Sequence, residues 1–271
     1  MLYNVDDRPV GIFDSGFGGL TVVKAIADLM PGEDLIYFGD SARYPYGPKP
    51  REEVLRYSLE ICDFLIDSFD VKMIVVACNT ASSFALDTIV EKYSLPIVGM
   101  IEPGAKSLVS AATSNRVGVI GTVGTISSGA YQEILTDIAP HLEVTCAATP
   151  GFVEFVERGE LESDQLLVLA ERLLRPILDG DVSSLLLGCT HYPFLARTIS
   201  KVLGDGVTLI SSAEETAFSV RQLLIEYLLV TSRTKGSFRA ITSGDVEEFR
   251  RIGRSLLGLD FSTVTSHKVD R

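Results

Sequence analysis

The sequence has no Cys-x-x-Cys pair, no low-complexity tract and no apolar run approaching membrane-spanning length. The missing cysteine pair argues against a dithiol redox motif or a zinc ribbon. The missing apolar run argues against a transmembrane helix. The start, Met1–Pro9, reads MLYNVDDRP and lacks the basic end and apolar stretch of a secretory signal. Positive charge is also scarce: 24 Lys and Arg stand against 36 Asp and Glu, a formal net charge of -12. So acidic a surface repels phosphate backbones and anionic lipids, so no nucleic-acid or membrane partner is expected. A small anion can still bind where local backbone dipoles outweigh distant charge. The expected location is the cytoplasm.

What is present suits one large α/β domain or two compact ones: 271 residues, 46% hydrophobic and 22% charged. That is a soluble globular composition with ample material for a core, and disorder is expected only at the two ends. There are four cysteines, Cys62, Cys78, Cys146 and Cys189. A reducing compartment leaves them as thiols. Cys62 and Cys146 read as buried packing.

Short apolar runs alternate with amphipathic stretches. Strands are expected at Val10–Phe13, Asp34–Phe38 and Met73–Val76, with helices at Thr21–Leu29, Arg51–Phe69 and from about Ala81. The pattern restarts with strands at Arg116–Ile120, Ser184–Leu187 and Thr208–Ile210 and helices at Ser163–Leu178 and Ala213–Leu229. A late strand at Phe238–Thr242 and a helix at Val246–Leu257 follow. The alternation predicts an α/β fold, two similar domains with mainly parallel sheets and a site in the cleft between them. The first domain is placed at residues 1–99 with the tail, 210–271, and the second at 100–209.

Two stretches correspond without being a repeat. Ile74–Thr80 reads IVVACNT and Leu185–His191 reads LLLGCTH: an apolar strand, a small residue, a cysteine, then hydrogen-bonding side chains. Parallel α/β sheets bind ligands beyond the carboxyl ends of their strands. A cysteine at a strand-to-helix junction feels the positive helix end, which can lower its pKa. Cys78 and Cys189 therefore read as reactive thiols, with Asn79, Thr80, Thr190 and His191 as neighbouring donors.

Other motifs are less specific. Gly11–Val22 reads GIFDSGFGGLTV; its glycines permit a tight turn, but Thr21 replaces the last glycine of a dinucleotide fingerprint. Asp14 at the strand end would repel a pyrophosphate; it can cap a helix, accept from an ammonium or tune a thiol. Tyr44–Lys49 reads YPYGPK, a rigid loop whose Tyr46 and Gly47 could line a mouth. In Gly118–Thr125, GVIGTVGT, Thr122 and Thr125 could donate to a carboxylate. Glu157 lies on an amphipathic stretch, Val153–Arg158.

Taken together, DSGFGGLTV from Asp14, YPYGP from Tyr44, ACNTAS from Ala77 and GCTHYP from Gly188 resemble the glutamate racemase family in order and spacing. The resemblance covers nearly the whole chain. It implies a cofactor-independent interconversion of L- and D-glutamate that supplies peptidoglycan synthesis, and a homodimer. It implies that Cys78 acts on the D-enantiomer and Cys189 on the L-enantiomer, with Asp14, Glu157 and His191 assisting. It implies substrate contacts at Asp14, Ser15, Tyr46, Gly47, Asn79, Thr80, Thr190 and His191, and carboxylate contacts at Thr122 and Thr125. One departure is visible: Thr149-Pro150 stands where family members often have Cys-Pro.

Such a reaction needs a base on one face of the α-carbon and an acid on the other. One sulfur must be a thiolate and the other a thiol. No sequence feature demands pyridoxal phosphate as an electron sink, so preorganised donors in a dry cleft must stabilise the carbanion. An aspartate-type racemase and a non-catalytic amino-acid sensor on the same fold stay as alternatives; a phosphate-binding kinase fails on motif spacing.

Overall fold

The computed structural model describes residues 5–257 and 263–269. Residues 1–4, 258–262 and 270–271 of the expected first domain lie outside them. The chain begins β1 (Val10–Asp14), α1 (Leu20–Leu29), β2 (Leu35–Gly39), α2 (Arg51–Phe69), β3 (Met73–Val76), α3 (Asn79–Lys92) and β4 (Ile97–Val98). It continues through α4 (Ile101–Ala111), β5 (Arg116–Gly121), α5 (Val123–Ser127), α6 (Ala130–Ile138), β6 (Glu143–Ala148) and α7 (Phe152–Arg158). Next come α8 (Asp164–Leu173), α9 (Arg175–Asp179), β7 (Ser184–Gly188), a 3-10 turn (Tyr192–Leu195), α10 (Ala196–Leu203) and β8 (Thr208–Ser211). The last elements are α11 (Ala213–Glu226), β9 (Phe238–Thr242), α12 (Val246–Leu257) and β10 (Val264–Ser266).

The strands form two sheets, ordered β10-β9-β2-β1-β3-β4 and β6-β5-β7-β8. Every pairing in both is parallel. Parallel strands need crossover helices, and these cover both faces. On the first sheet Val10, Ile12, Tyr37 and Val75 face one core, while Phe13, Phe38, Ile74 and Val76 face another. On the second, Ile120, Leu185 and Leu187 face one core and Val117, Val119 and Leu186 the other. The two α/β units and their parallel sheets are those expected from the alternation of apolar runs. The tail strand β9 pairs with β2 in the first sheet, and β8 carries through residues 209 and 210 to Ser211 in the second.

Register delivers the site. Phe13 pairs with Val76, so Asp14 and Cys78 leave the first sheet at adjacent strand ends. Gly121 pairs with Gly188, so Thr122 and Cys189 do the same on the second.

Three of the expected helices differ from the expectation by more than a single residue. The stretch Ser163–Leu178 is broken at Leu174 into α8 and α9. Pro176 has no N–H to donate and its ring clashes with the preceding turn, so the first helix stops and a second starts around it. α3 begins at Asn79, two residues before Ala81, because Cys78 serves as its N-cap. α11 ends at Glu226, and beyond it Leu228 has a φ of 56°, outside helical space. Among the described residues no helix is long and apolar enough to cross a membrane.

Candidate active site

A cleft of about 600 Å³, including its open mouth, lies at the carboxyl ends of both sheets. Asp14, Ser15, Tyr46, Gly47, Cys78, Asn79 and Thr80 line it from the first sheet's loops, and Thr122, Cys189, Thr190 and His191 from the second's. The two cysteines singled out from sequence therefore face one space, with exposures of only 5% and 7%.

On the first side, Asp14 Oδ2 accepts from the Gly19 amide at 2.7 Å and so ties the glycine turn to the start of α1. Asp14 is buried, and its Oδ1 has no hydrogen-bond partner among the described residues. Cys78 Sγ accepts from the Ala81 amide at 3.4 Å and faces Ser15 Oγ at 3.8 Å. The helix end expected to lower this thiol's pKa does so only in part. Burial pushes the Cys78 thiol well above its ordinary range and the Asp14 carboxylate adds to this; the Ala81 and Ser15 contacts oppose both without overcoming them.

The second side is built differently. Cys189 leads into a turn and a short 3-10 segment rather than directly into an α-helix. Its neighbour is His191, whose Nδ1 lies 3.9 Å from Cys189 Sγ and whose Nε2 lies 3.3 Å from Glu157 Oε1. Burial acts to lower the imidazole pKa, but the hydrogen bonds to Cys189 and Glu157 outweigh it and raise the value to about 10. Glu157 stands behind His191 and does not line the cleft, whereas Glu154, earlier on α7, does.

The two sides are stitched together. Thr80 Oγ1 lies 2.9 Å from Thr122 Oγ1 and 3.2 Å from Thr125 Oγ1, and the last two are 3.0 Å apart. Thr125 is fully buried and completes this triangle from behind the wall. The Gly124 amide donates to the Gly47 carbonyl at 2.8 Å. An added Cβ at Gly18 would stand 2.3 Å from Thr190 Oγ1 and 2.5 Å from His191 Nδ1, so only glycine lets the first half approach the Cys189 turn this closely. Tyr46 is fully buried, with its hydroxyl donating to Asp40, so it forms the wall rather than the mouth.

Sequence reasoning passed over several residues. Thr149, Tyr192, Tyr44 and Glu154 line the cleft. Thr149 Oγ1 donates to Tyr192 Oη at 2.7 Å, so the threonine of the Thr-Pro departure is held to the tyrosine of GCTHYP. Tyr131, fully buried on α6, donates to Asn79 Oδ1 at 2.6 Å. Tyr44, Tyr192 and Thr149 stood in noted motifs without a role of their own; Glu154 and Tyr131 had no local signal, because their place is set by packing between elements. Cys62 is buried and Cys146 half-buried, both away from the cleft, and burial pushes their thiols up to about 12 and about 11.

Comparisons with known proteins agree with this geometry. A family model described as Asp/Glu/Hydantoin racemase matches residues 19–219. A glutamate racemase of Parafrankia sp. is 47% identical over 259 residues, 95% of this chain and 93% of that one. The crystal structure of a glutamate racemase isoform from Bacillus anthracis superposes with a TM-score of 0.91 at 38% identity, over 97% of each chain. A glutamate racemase from Francisella tularensis, solved in complex with D-glutamate, superposes with a TM-score of 0.89 at 34% identity, over 98% of each chain. With two α/β units, paired cysteines across one cleft and these relatives, the chain belongs to the Asp/Glu/hydantoin racemase family.

Proposed function

We propose that this chain interconverts L-glutamate and D-glutamate by removing the α-proton with one of Cys78 and Cys189 and returning a proton from the other to the opposite face of the α-carbon. The observation that carries the reading is that these thiols, borne by separate sheets, line a single cleft. The Cys189 thiolate takes the α-proton of L-glutamate, leaving the electron pair on carbon and spread into the α-carboxylate. The Cys78 thiol then delivers its proton to the opposite face, D-glutamate leaves, and Cys78 becomes the thiolate. The reverse direction exchanges the roles. The scheme needs no cofactor.

The remaining groups fit this chemistry. Oδ1 of buried Asp14, without a hydrogen-bond partner among the described residues, is an acceptor suited to the substrate's ammonium. That cation would offset the Asp14 charge that now raises the Cys78 pKa. Among the described residues no lysine or arginine lines the cleft, so carboxylates fall to neutral donors: Ser15, Asn79, Thr80, Thr122 and Thr190. Preorganised neutral donors stabilise developing charge at no cost in reorganisation. His191, backed by Glu157, is the acid–base partner of Cys189.

Glutamate is favoured over aspartate by the relatives, glutamate racemases that are 34–47% identical to this chain. Cytoplasmic location fits four unpaired cysteines. Supply of D-glutamate to peptidoglycan synthesis and a homodimer rest on family relationship. The test is loss of optical activity from L-glutamate and L-aspartate, followed by circular dichroism with no pyridoxal phosphate or metal added. Glutamate should racemise and aspartate should not. Unchanged glutamate, or activity that disappears when a tightly bound carbonyl cofactor is removed, overturns the reading.

A further inference from the structure

Tyr131 belongs to neither thiol turn, yet it touches both. Its ring packs against Gly188, the residue before Cys189: a Cβ there would come within 3.1 Å of the ring carbon Cε2. Gly104 on α4 leaves room at the other end, where a Cβ would stand 2.8 Å from the hydroxyl. From this slot the hydroxyl crosses to the first half and donates to Oδ1 of Asn79, the residue after Cys78.

An asparagine amide has an acceptor end and a donor end, and its neighbours decide which way it turns. With Oδ1 engaged, Nδ2 is the free end; it is buried and has no hydrogen-bond partner among the described residues. Asn79 lines the cleft. Turning the amide over would leave the buried phenol proton without its acceptor, which is costly in a low-dielectric interior. It would also present an oxygen where an anionic substrate needs a donor.

We propose that Tyr131 is a positioning residue that locks the Asn79 amide with its NH2 end toward the cleft, as a donor to a substrate carboxylate. The inference rests on the reading of Asn79 as a substrate contact. Its test is steady-state racemisation by wild type, Tyr131→Phe, Asn79→Ala and the double variant. Tyr131→Phe keeps the ring in its slot and removes only the hydroxyl. It should raise KM about tenfold for both enantiomers, the worth of one oriented hydrogen bond, with kcat within about twofold of wild type. Asn79→Ala should raise KM at least as much, and the double variant no further than Asn79→Ala, since both changes remove the same contact. A wild-type KM in Tyr131→Phe, or KM effects that multiply in the double variant, overturns the proposal.

Should Tyr131→Phe fail to fold, Asn79→Asp serves instead. It keeps an acceptor for Tyr131 and replaces the NH2 end by oxygen, so KM should rise by about a hundredfold or more with the melting temperature near that of wild type. A wild-type KM there also overturns it. If wild type racemises glutamate normally while Asn79→Ala keeps a wild-type KM, the Tyr131 role falls and the two-thiol reading stands. A wild type without turnover sinks both.

Discussion

The Glu157 carboxylate meets Nε2 of His191 at 3.3 Å, while the opposite nitrogen of that ring faces Cys189. The ring is 2% exposed, so its charge state is governed by these two partners more than by water. The arrangement sets an asymmetry between the thiols: Cys189 has the His191 imidazole at its side, and Cys78 has a helix amide, a serine hydroxyl and the charge of the Asp14 carboxylate.

The first prediction concerns pH. Burial would lower the His191 pKa, but the bonds to Cys189 and Glu157 raise it from 6.5 to about 10. A raised folded-state pKa means the native protein holds the proton more tightly than the unfolded chain. The resulting stability is complete below pH 6.5 and is lost as pH rises through about 10. Across that window the wild-type melting temperature should fall more steeply than that of His191→Gln. In an NMR titration, Glu157→Gln should lower the apparent pKa of the ring; an unshifted titration would contradict the pairing.

Gly18→Ala should nearly abolish racemisation. Its Cβ would stand 2.3 Å from Thr190 Oγ1, and the neighbouring His191 leaves little room to give. A displacement of about 1 Å in the Cys189 turn costs on the order of a hundredfold in rate. The loss should appear in kcat, with the first sheet's packing unaffected. Wild-type kcat in this variant would show that the turn is not held by the close approach.

Thr80→Val tests the hydroxyl triangle. Thr122 and Thr125 still bond each other at 3.0 Å, so thermal or denaturant unfolding should show a loss of only about 1 kcal/mol. KM for glutamate should rise about tenfold if Thr80 is the proposed carboxylate donor. A large stability loss with unchanged KM would make the triangle a structural clasp instead.

Much of this was legible from residue order. Arg51–Phe69 was readable to the residue because its apolar spacing holds over five turns and Pro50 bounds it. Cys78 and Cys189 stood out because a small residue, a thiol and polar side chains follow an apolar strand in both halves. β6 was missed because Glu143–Ala148 is an edge strand with mixed exposure and no apolar run. The direction of the Cys78 shift was not legible either. Local sequence shows the helix end that lowers it, while burial and Asp14, which raise it, come from folding. Tyr131 and the bond from Thr149 to Tyr192 reach the site only through packing across elements, which no local pattern encodes.

The most direct test of the two-thiol chemistry is deuterium incorporation at the α-carbon in heavy water, with wild type, Cys78→Ala and Cys189→Ala. Wild type should racemise either enantiomer of glutamate with deuterium entering the product. Each single variant should lose racemisation altogether, whether or not it still exchanges the α-proton of one enantiomer. Full racemisation by either variant would contradict the account.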